Sequence, residues 1–244
     1  MIMPKLLDAV LSIILISISS VASAGPEDLC PELKVERQLL KNGFHRDLIT
    51  RVSIQGFAEQ VNSCRIVLRE SIPSGLFVDP YQLSSLQQQN LTEAVLLTSV
   101  DVEAPEYLST AHTALVYMRP DDTCSNCYIS TVPVHARYHR PSSHTHQVSV
   151  HLQNPQLLIR CSKEFLQSGC PNHLLVEAPC GTFNGKQFQW LDVPYTMVKE
   201  NPVVQVPVGI AQHSPAVCIV TVAVTLICTG MLLTAISKHK QKCL

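Results

Sequence analysis

Residues 216–236 read AVCIVTVAVTLICTGMLLTAI, a stretch of 21 residues without a charged side chain. An α-helix rises about 1.5 Å per residue, so this stretch spans about 31 Å, the thickness of a bilayer's hydrocarbon core. The tail after it, SKHKQKCL, carries Lys238, Lys240 and Lys242 but no acid. Lysines beside a span are typical of its cytosolic end. The pattern predicts one transmembrane helix at 216–236 and a cytosolic tail at 237–244.

The opposite end of the chain resembles a secretory signal peptide at residues 1–24. Lys5 supplies the positive charge, residues 6–18 are almost wholly apolar, and Ala22-Ser23-Ala24 offers the small residues that signal peptidase requires. A retained signal anchor is the alternative, but Gly and Pro follow at once and continue a helix poorly. The two ends together predict a single-pass type I membrane protein.

The composition agrees with a chain that is partly embedded in lipid. Charged residues make up 15% of the sequence, against about a quarter in an average soluble domain. The formal net charge is −1, which gives no electrostatic footprint for a nucleic-acid partner. Ten cysteines favour an oxidising compartment.

The region between the two apolar ends has the pattern of short strands separated by turns. Eight segments show alternation or enrichment in β-branched residues, namely 48–54, 64–68, 113–118, 128–134, 147–152, 157–159, 174–176 and 203–208. Residues 81–97 are the one helical candidate. The pattern predicts a mainly β, antiparallel sandwich-like lumenal domain at 25–207. The prolines around 208–215 predict a short stalk that leads into the membrane.

Two short motifs bear on where the chain resides. Asn90-Leu91-Thr92 is an N-glycosylation sequon in a polar stretch, which fits a lumenal domain. Lys240 and Lys242 are fifth and third from the C-terminus, and they resemble the Lys-x-Lys-x-x signal that returns proteins to the endoplasmic reticulum. Ordinary stop-transfer lysines are the alternative interpretation of this tail.

The cysteines of the predicted lumenal region are candidates for disulfide bonds. They are Cys30, Cys64, Cys124, Cys127, Cys161, Cys170 and Cys180. We expect at least two bonds, whose pairing the spacing leaves open. Cys124-Ser125-Asn126-Cys127 has the spacing of a thiol oxidoreductase, but a strand pattern follows it, where such enzymes place a helix. A structural bond or turn is therefore favoured.

No catalytic or cofactor-binding signature is present in the sequence. Gly-x-Ser-x-Gly, His-Glu-x-x-His and phosphate-binding loops are missing, so we predict neither an enzyme nor a bound cofactor. A histidine cluster, His135, His139, His144, His146 and His151, could offer metal ligands on one face of a strand. A polar hairpin tip is the favoured interpretation of that cluster.

Small and hydroxyl side chains in the predicted span form a candidate helix-docking face. Thr221, Thr225 and Thr229 recur every four residues, and Gly230 follows them. Such residues let transmembrane helices approach closely. A span that merely tolerates threonine is the alternative.

Four stretches make the chain similar to the phosphatidylinositol-glycan biosynthesis class X family. They are residues 72–81 (IPSGLFVDPY), residues 132–141 (VPVHARYHRP), Pro179-Cys180-Gly181 followed by Trp190, and the stretch leading into Val206-Pro207-Val208-Gly209. The resemblance covers nearly all of the mature chain. The resemblance is specific because the motifs occur together with type I topology and a dilysine-like tail.

The resemblance implies a non-catalytic role in the membrane of the endoplasmic reticulum. Family members bind and stabilise the multi-span class M catalytic subunit of glycosylphosphatidylinositol (GPI) mannosyltransferase I, which adds the first mannose of the anchor precursor. It also makes Pro133, His135, Arg137 and Tyr138 a candidate patch, either a strand-turn brace or an interface. The alternative function is a type I surface receptor or adhesion protein with a β-sandwich ectodomain.

Overall fold

The computed structural model describes residues 32–55, 64–161, 174–181 and 186–242. The predicted signal peptide, Cys30 and Cys170 lie outside the described residues. In chain order the strands are β1 (Glu32–Leu40), β2 (His45–Gln55), β3 (Arg65–Ile72), β4 (Leu76–Phe77), β5 (Glu93–Leu96), β6 (His112–Tyr117), β7 (Arg119–Pro120), β8 (Cys127–Ala136), β9 (Gln147–His151), β10 (Gln156–Arg160), β11 (Leu174–Pro179), β12 (Gln187–Asp192), β13 (Thr196–Met197) and β14 (Val203–Pro207). The helices are α1 (Pro80–Gln88) and α2 (Ser214–Lys242), with 3₁₀ turns at Glu106–Leu108 and Ala211–His213.

The described strands form two large sheets and one two-stranded ribbon. The first sheet has the order β13-β1-β2-β8-β4, with β7 also paired to β8, and the second has the order β11-β12-β10-β3-β6-β5. The ribbon pairs β14 with β9. Among the described strands the pairings are antiparallel, except that of β1 with β13. All eight predicted strand segments fall on observed strands, which confirms the mainly β prediction.

The two large sheets pack their inner faces on a shared apolar core. Alternate residues of β1 (Leu33, Val35) and of β3 (Ile66, Leu68) are almost wholly buried in one cluster. Val206 of the ribbon belongs to the same cluster. Because side chains of a strand point alternately to its two faces, this pattern defines a sandwich interior shared by both sheets.

A buried ion pair crosses that interior. Arg37 of β1 and Glu70 of β3 point inward from opposite sheets, and the Arg37 Nη2 lies 2.7 Å from the Glu70 Oε2. Arg37 Nη1 also donates to the Gln153 carbonyl at 2.6 Å and to Asn201 Oδ1 at 2.9 Å. Burial raises the pKa of Glu70, and the Arg37 charge opposes that rise. One side chain therefore ties together four chain segments.

A second, smaller core lies on the outer face of the second sheet. Trp190 of β12 is fully buried against Val67, Leu115 and Leu158, and its indole Nε1 donates to the Ala178 carbonyl at 2.9 Å. Buried tryptophan needs such a partner for its N–H. The β11–β12 hairpin therefore covers the sheet on the side that faces away from the main core.

The helical candidate at 81–97 divides into a helix and a strand. Asp79 caps α1 by accepting from the Tyr81 amide at 2.8 Å, and Pro80 suits the first turn. Asn90 adopts a left-handed conformation (φ 56°), as residues that follow a helix often do. Val95 then lies in β5, so the helical interpretation holds only for the first half of this segment.

The helix α2 begins at Ser214, two residues before the predicted span. Pro215 suits a first turn because its missing N–H has no partner there in any helix. Residues Ala211–His239 form a helical stretch of 29 residues whose most apolar window has a mean hydropathy of 2.5, and none of that window is buried in the protein. This confirms one C-terminal apolar helix long enough to cross a membrane.

The segment predicted as a stalk is hydrogen-bonded to the β domain. The Val208 amide donates to the His146 carbonyl at 2.9 Å, the Ser142 amide to the Gly209 carbonyl at 2.9 Å, and the Ala211 amide to the Ser142 carbonyl at 3.1 Å. A parallel bridge also joins Ser142 and Ile210. The helix therefore starts from a fixed point on the domain.

The buried ion pair predicts a specific pattern of stability. Arg37→Met leaves the Glu70 carboxylate buried without a counter-charge, so we expect a loss of about 3–5 kcal/mol in the free energy of unfolding. Arg37→Met with Glu70→Leu should recover most of that loss. Urea unfolding of the full chain in detergent, followed by the emission of the buried Trp190, measures both.

The matched control is Lys41→Met, which breaks the surface pair between Lys41 and Asp47. It should cost far less, because exposed ion pairs contribute little. A double variant no more stable than Arg37→Met alone would contradict this role of the pair.

Candidate functional site

The two longest motifs, residues 72–81 and 132–141, fold into one unit. In β4, Leu76 pairs with Ala136 and Phe77 with His135 of β8. The Arg137 amide donates to the Gly75 carbonyl at 2.9 Å. A Cβ on Gly75 would lie 2.8 Å from a Val150 methyl carbon, so only glycine fits this close approach without a shift.

His135 holds the helix α1 against the outer face of the first sheet. Its Nε2 lies 2.7 Å from Gln82 Oε1, and since an amide oxygen can only accept, Nε2 carries the proton. The Phe77 ring stacks on the imidazole with centroids 5.0 Å apart, and His45 meets it edge-on at 4.5 Å. Burial, followed by the His45 charge, lowers the pKa of His135. The imidazole therefore serves as a neutral hydrogen-bond donor.

Arg137 anchors the segment that precedes the 3₁₀ turn Glu106–Leu108. Its Nη1 donates to the Ala104 carbonyl at 2.5 Å, and its guanidinium lies 4.7 Å from the centroid of the Phe77 ring. The side chain is almost fully buried, and its Nε has no hydrogen-bond partner in the described part of the chain. The contact with the Phe77 ring and the hydrogen bond to the Ala104 carbonyl together stabilise this buried cation.

His112 of β6 lies beside Val78, just before α1, and is held neutral. The Val78 amide donates to its Nε2 at 3.4 Å, directly before the capping residue of α1. Burial first, and then the charge of Arg137, lowers the pKa of His112 to about 4. A proton on Nε2 would remove the acceptor that Val78 uses, so the neutral form supports the start of the helix.

The structure separates the four residues of the candidate patch by exposure. Three of them are buried and are here called the brace: Pro133, His135 and Arg137. His135 contacts α1 through Gln82, and Arg137 contacts the segment before the 3₁₀ turn through Ala104. Tyr138 is 75% exposed, with its ring 5.2 Å from that of Phe44. Only Tyr138 of the four is placed to contact another molecule.

Two disulfides are present in the described residues. Cys64, just before β3, is bonded to Cys161, just after β10, which links neighbouring strands of the second sheet. Cys124 and Cys127 are bonded across the turn that enters β8, so this C-x-x-C spacing precedes a strand. Cys180 is a free thiol whose sulfur lies 3.1 Å from Arg160 Nη1.

The residues of the glycosylation sequon differ in exposure. Asn90 is exposed just after α1, whereas the Thr92 hydroxyl donates to the Thr131 carbonyl at 2.7 Å and the residue is buried. The asparagine is therefore accessible in the folded domain, while the hydroxyl that completes the motif is used within it.

The candidate docking face on α2 consists of three threonines. Each hydroxyl donates to the carbonyl four residues earlier, Thr221 to Val217, Thr225 to Thr221, and Thr229 to Thr225. The stripe therefore presents small side chains with satisfied hydroxyls. Gly230 lies about 100° around the helix from Thr229, because successive residues of an α-helix are offset by that angle.

The histidine cluster is dispersed in the structure. His135 is buried in the brace, the His139 Nδ1 lies 3.0 Å from the Arg137 carbonyl oxygen, and His144, His146 and His151 are exposed. No group of three His, Cys, Asp or Glu side chains able to hold a metal occurs among the described residues.

A cleft of about 620 Å³ opens between the end of α1 and the second sheet. Arg65, Glu93, Tyr117 and Cys180 line it, and Arg65 lies 3.5 Å from the Glu93 carboxylate. Burial, followed by the charges of Glu93 and Cys180, raises the pKa of Tyr117 to about 12, and its hydroxyl donates to the Pro179 carbonyl at 2.9 Å. Because a phenol with that pKa is protonated at neutral pH, Tyr117 does not serve as a general base in this cleft.

Comparisons with known proteins give one consistent similarity. Residues 41–237 match the family model described as PIG-X / PBN1. The chain is 41% identical over 219 residues to the human protein named "GPI alpha-1,4-mannosyltransferase I, stabilizing subunit", covering 89% of this chain and 85% of that protein. The rat protein of the same name is 40% identical over 218 residues, covering 89% and 86%. No solved structure matches significantly.

The buried histidine predicts a pH dependence of stability. The pKa of His112 is about 4 in the folded chain and 6.5 in the unfolded chain, so below pH 6.5 the unfolded chain binds the additional proton. This contribution to stability is complete above pH 6.5 and falls as the pH decreases, by about 2 kcal/mol at pH 5. Urea midpoints of the full chain between pH 7.5 and 5 measure it.

The variant His112→Gln should flatten this acid slope whatever its stability at pH 7.5. His144→Gln, at an exposed histidine, is the control and should keep the slope of the unmodified chain. An unchanged slope in His112→Gln would rule out this histidine as its source.

Proposed function

We propose that this chain, which belongs to the PIG-X / PBN1 family, is the non-catalytic stabilising subunit of GPI mannosyltransferase I. The observation that carries the proposal is the identity of about 40%, which extends over 89% of this chain and about 85% of relatives that bear that name. Similarity over most of both chains supports a shared role better than similarity of one domain does. The chain is therefore needed for transfer of the first mannose without performing that transfer.

The proposed location is the endoplasmic-reticulum membrane, with the β domain in the lumen. The apolar helix near the C-terminus and the lysines after it support a single-pass type I orientation. The exposed Asn90 suits a lumenal sequon, and Lys240 and Lys242 suit a retrieval signal, although their side chains lie outside the described part of α2. The proposed partner is the multi-span class M catalytic subunit.

Stabilisation follows from mass action. A chain that binds the folded catalytic subunit, and not its unfolded form, shifts that subunit away from unfolding and degradation. At a concentration of about 100 times the dissociation constant, this shift is worth about 2.7 kcal/mol. The accessory chain needs no chemistry of its own for this role. The buried histidines agree with this, because they make structural contacts, such as that of His135 with Gln82.

Both the β domain and the helix α2 are available for that contact. The threonine stripe of α2 is exposed along its length, and its hydroxyls are already satisfied, so close packing of another helix leaves no polar group unpaired.

The decisive experiment removes this chain from cells that make both subunits. We expect the abundance of the catalytic subunit and the mannosyltransferase I activity to fall together, because unbound catalytic subunit is degraded. Re-expression of the chain should restore both, and so should Cys124→Ser with Cys127→Ser if thiol chemistry plays no part. Abundant and fully active catalytic subunit without this chain would refute the proposal.

The helix surface gives a second test. Thr225→Leu places a bulky side chain in the middle of the stripe, so we expect several-fold less catalytic subunit to copurify in mild detergent. Ala223→Leu is the matched control because residue 223 lies about 160° around the helix from residue 225. Equal recovery with the two variants would assign the contact elsewhere.

A further inference from the structure

Four exposed residues form a surface cluster at one end of the β domain, here called the aromatic patch: Tyr107, Leu108, Tyr138 and Arg140. Leu108 and Tyr138 are 72% and 75% exposed. The Glu106 amide donates to the Tyr138 carbonyl at 3.0 Å, which brings the two segments together. The Arg140 guanidinium lies 4.4 Å from the centroid of the Tyr107 ring. The patch is thus a rigid unit with an apolar surface and one cation.

The aromatic patch lies at the end of the domain from which α2 departs. Arg140 is followed by Pro141, whose ring carbons lie 3.8 Å from the position of a Cβ on Gly209, and by Ser142, which is hydrogen-bonded to Gly209 and Ala211. Two residues of chain reach at most about 7 Å, and the four from Tyr138 to Ser142 reach about 14 Å. The helical stretch begins at Ala211, five residues or about 7.5 Å before the charge-free run at 216–236.

The distances match the thickness of the polar layer of a bilayer. That layer adds about 5–7 Å on each side of the hydrocarbon core. Ser142 is hydrogen-bonded to Ala211, about 7.5 Å before the charge-free run, which places it close to this height. Tyrosine and arginine side chains extend several ångströms further. The three backbone hydrogen bonds at residues 208–211 prevent the domain from drifting away on a loose tether.

The composition of the patch is that of a membrane interface. Tyrosine rings are enriched at the headgroup level because one end is apolar and the other forms hydrogen bonds. Leu108 supplies an apolar side chain that has no cover in the structure, and Arg140 supplies a cation suited to lipid phosphate. An exposed leucine beside two tyrosines at the start of a span is therefore best satisfied by lipid.

We propose that the aromatic patch inserts into the headgroup layer of the membrane that α2 crosses, and that it binds phospholipid directly. This inference rests on the membrane-spanning assignment of α2 and not on the stabilising role. Together with the helix, the patch gives the domain a second point of attachment. Two attachments fix the tilt of the sandwich on the membrane surface, which a single helix would leave free.

Fluorescence quenching by lipid tests the proposal on the full-length chain. Leu108→Trp is reconstituted into phosphatidylcholine vesicles with or without bromine atoms near the top of the acyl chains. The only native tryptophan, Trp190, is fully buried and provides an unquenched background. We expect brominated lipid to remove about half of the emission of the introduced tryptophan. The two leaflets have the same lipid, so the direction of insertion has no effect.

The matched control is Leu174→Trp. Leu174 has nearly the same exposure, 71%, but lies on the edge strand β11. Across the ladder, Leu174 is level with Asp192, Leu158 and Val67. Val67 is five residues, about 17 Å, from Ile72, the end of β3 that leads to Ser74, whose hydroxyl donates to Glu106 beside the patch. We expect little quenching there.

Each outcome decides the proposal. Quenching at residue 108 that clearly exceeds that at 174, in vesicles that hold this chain alone, supports lipid contact. Equal quenching at the two positions overturns it. Loss of the quenching at 108 once the catalytic subunit is reconstituted with the chain would also overturn it, because the patch would then belong to a protein interface. The abundance assay above is independent of all three results.

Discussion

The buried ion pair between Arg37 and Glu70 is the constraint on which the sandwich depends. It joins β1 of one sheet to β3 of the other across the core, 2.7 Å apart and shielded from water. Arg37 also binds the chain at Gln153 and Asn201, which flank the ribbon strands. Desolvation makes such a pair costly, and the hydrogen bonds of the two Arg37 Nη atoms offset that cost, while its Nε has no partner among the described residues. The pair therefore fixes how the two sheets and the ribbon align.

The alignment of the sheets determines which side chains the outer face of the first sheet exposes. The brace of Pro133, His135 and Arg137 rests on β8, and β8 is positioned by the core beneath it. Two histidines that could serve catalysis are instead held neutral by burial and used as a donor to Gln82 and an acceptor for Val78. The result is a rigid surface with exposed tyrosines, which suits binding better than chemistry.

Sequence periodicity predicted the strands that obey it and failed where polar residues face inward. β2, β6 and β8 have enough β-branched and apolar residues to be recognised. β1 was missed because an inward-facing Arg37 interrupts the alternation begun by Leu33 and Val35. β12 was missed because Trp190 is the one buried residue in it. In residues 81–97 helix and strand patterns overlap; Asp79 caps the start of the helix, and the left-handed Asn90 separates the helix from β5.

The sequence by itself determined the membrane topology expected for this chain and its mainly β class, because long apolar runs and alternation are local patterns. Its motifs also identified Pro133, His135, Arg137 and Tyr138 as one group. Only the tertiary structure decided that three of these brace the fold while Tyr138 faces outward, and that the aromatic patch adjoins the helix start. Such facts depend on contacts between segments far apart in the chain, which residue order does not encode locally.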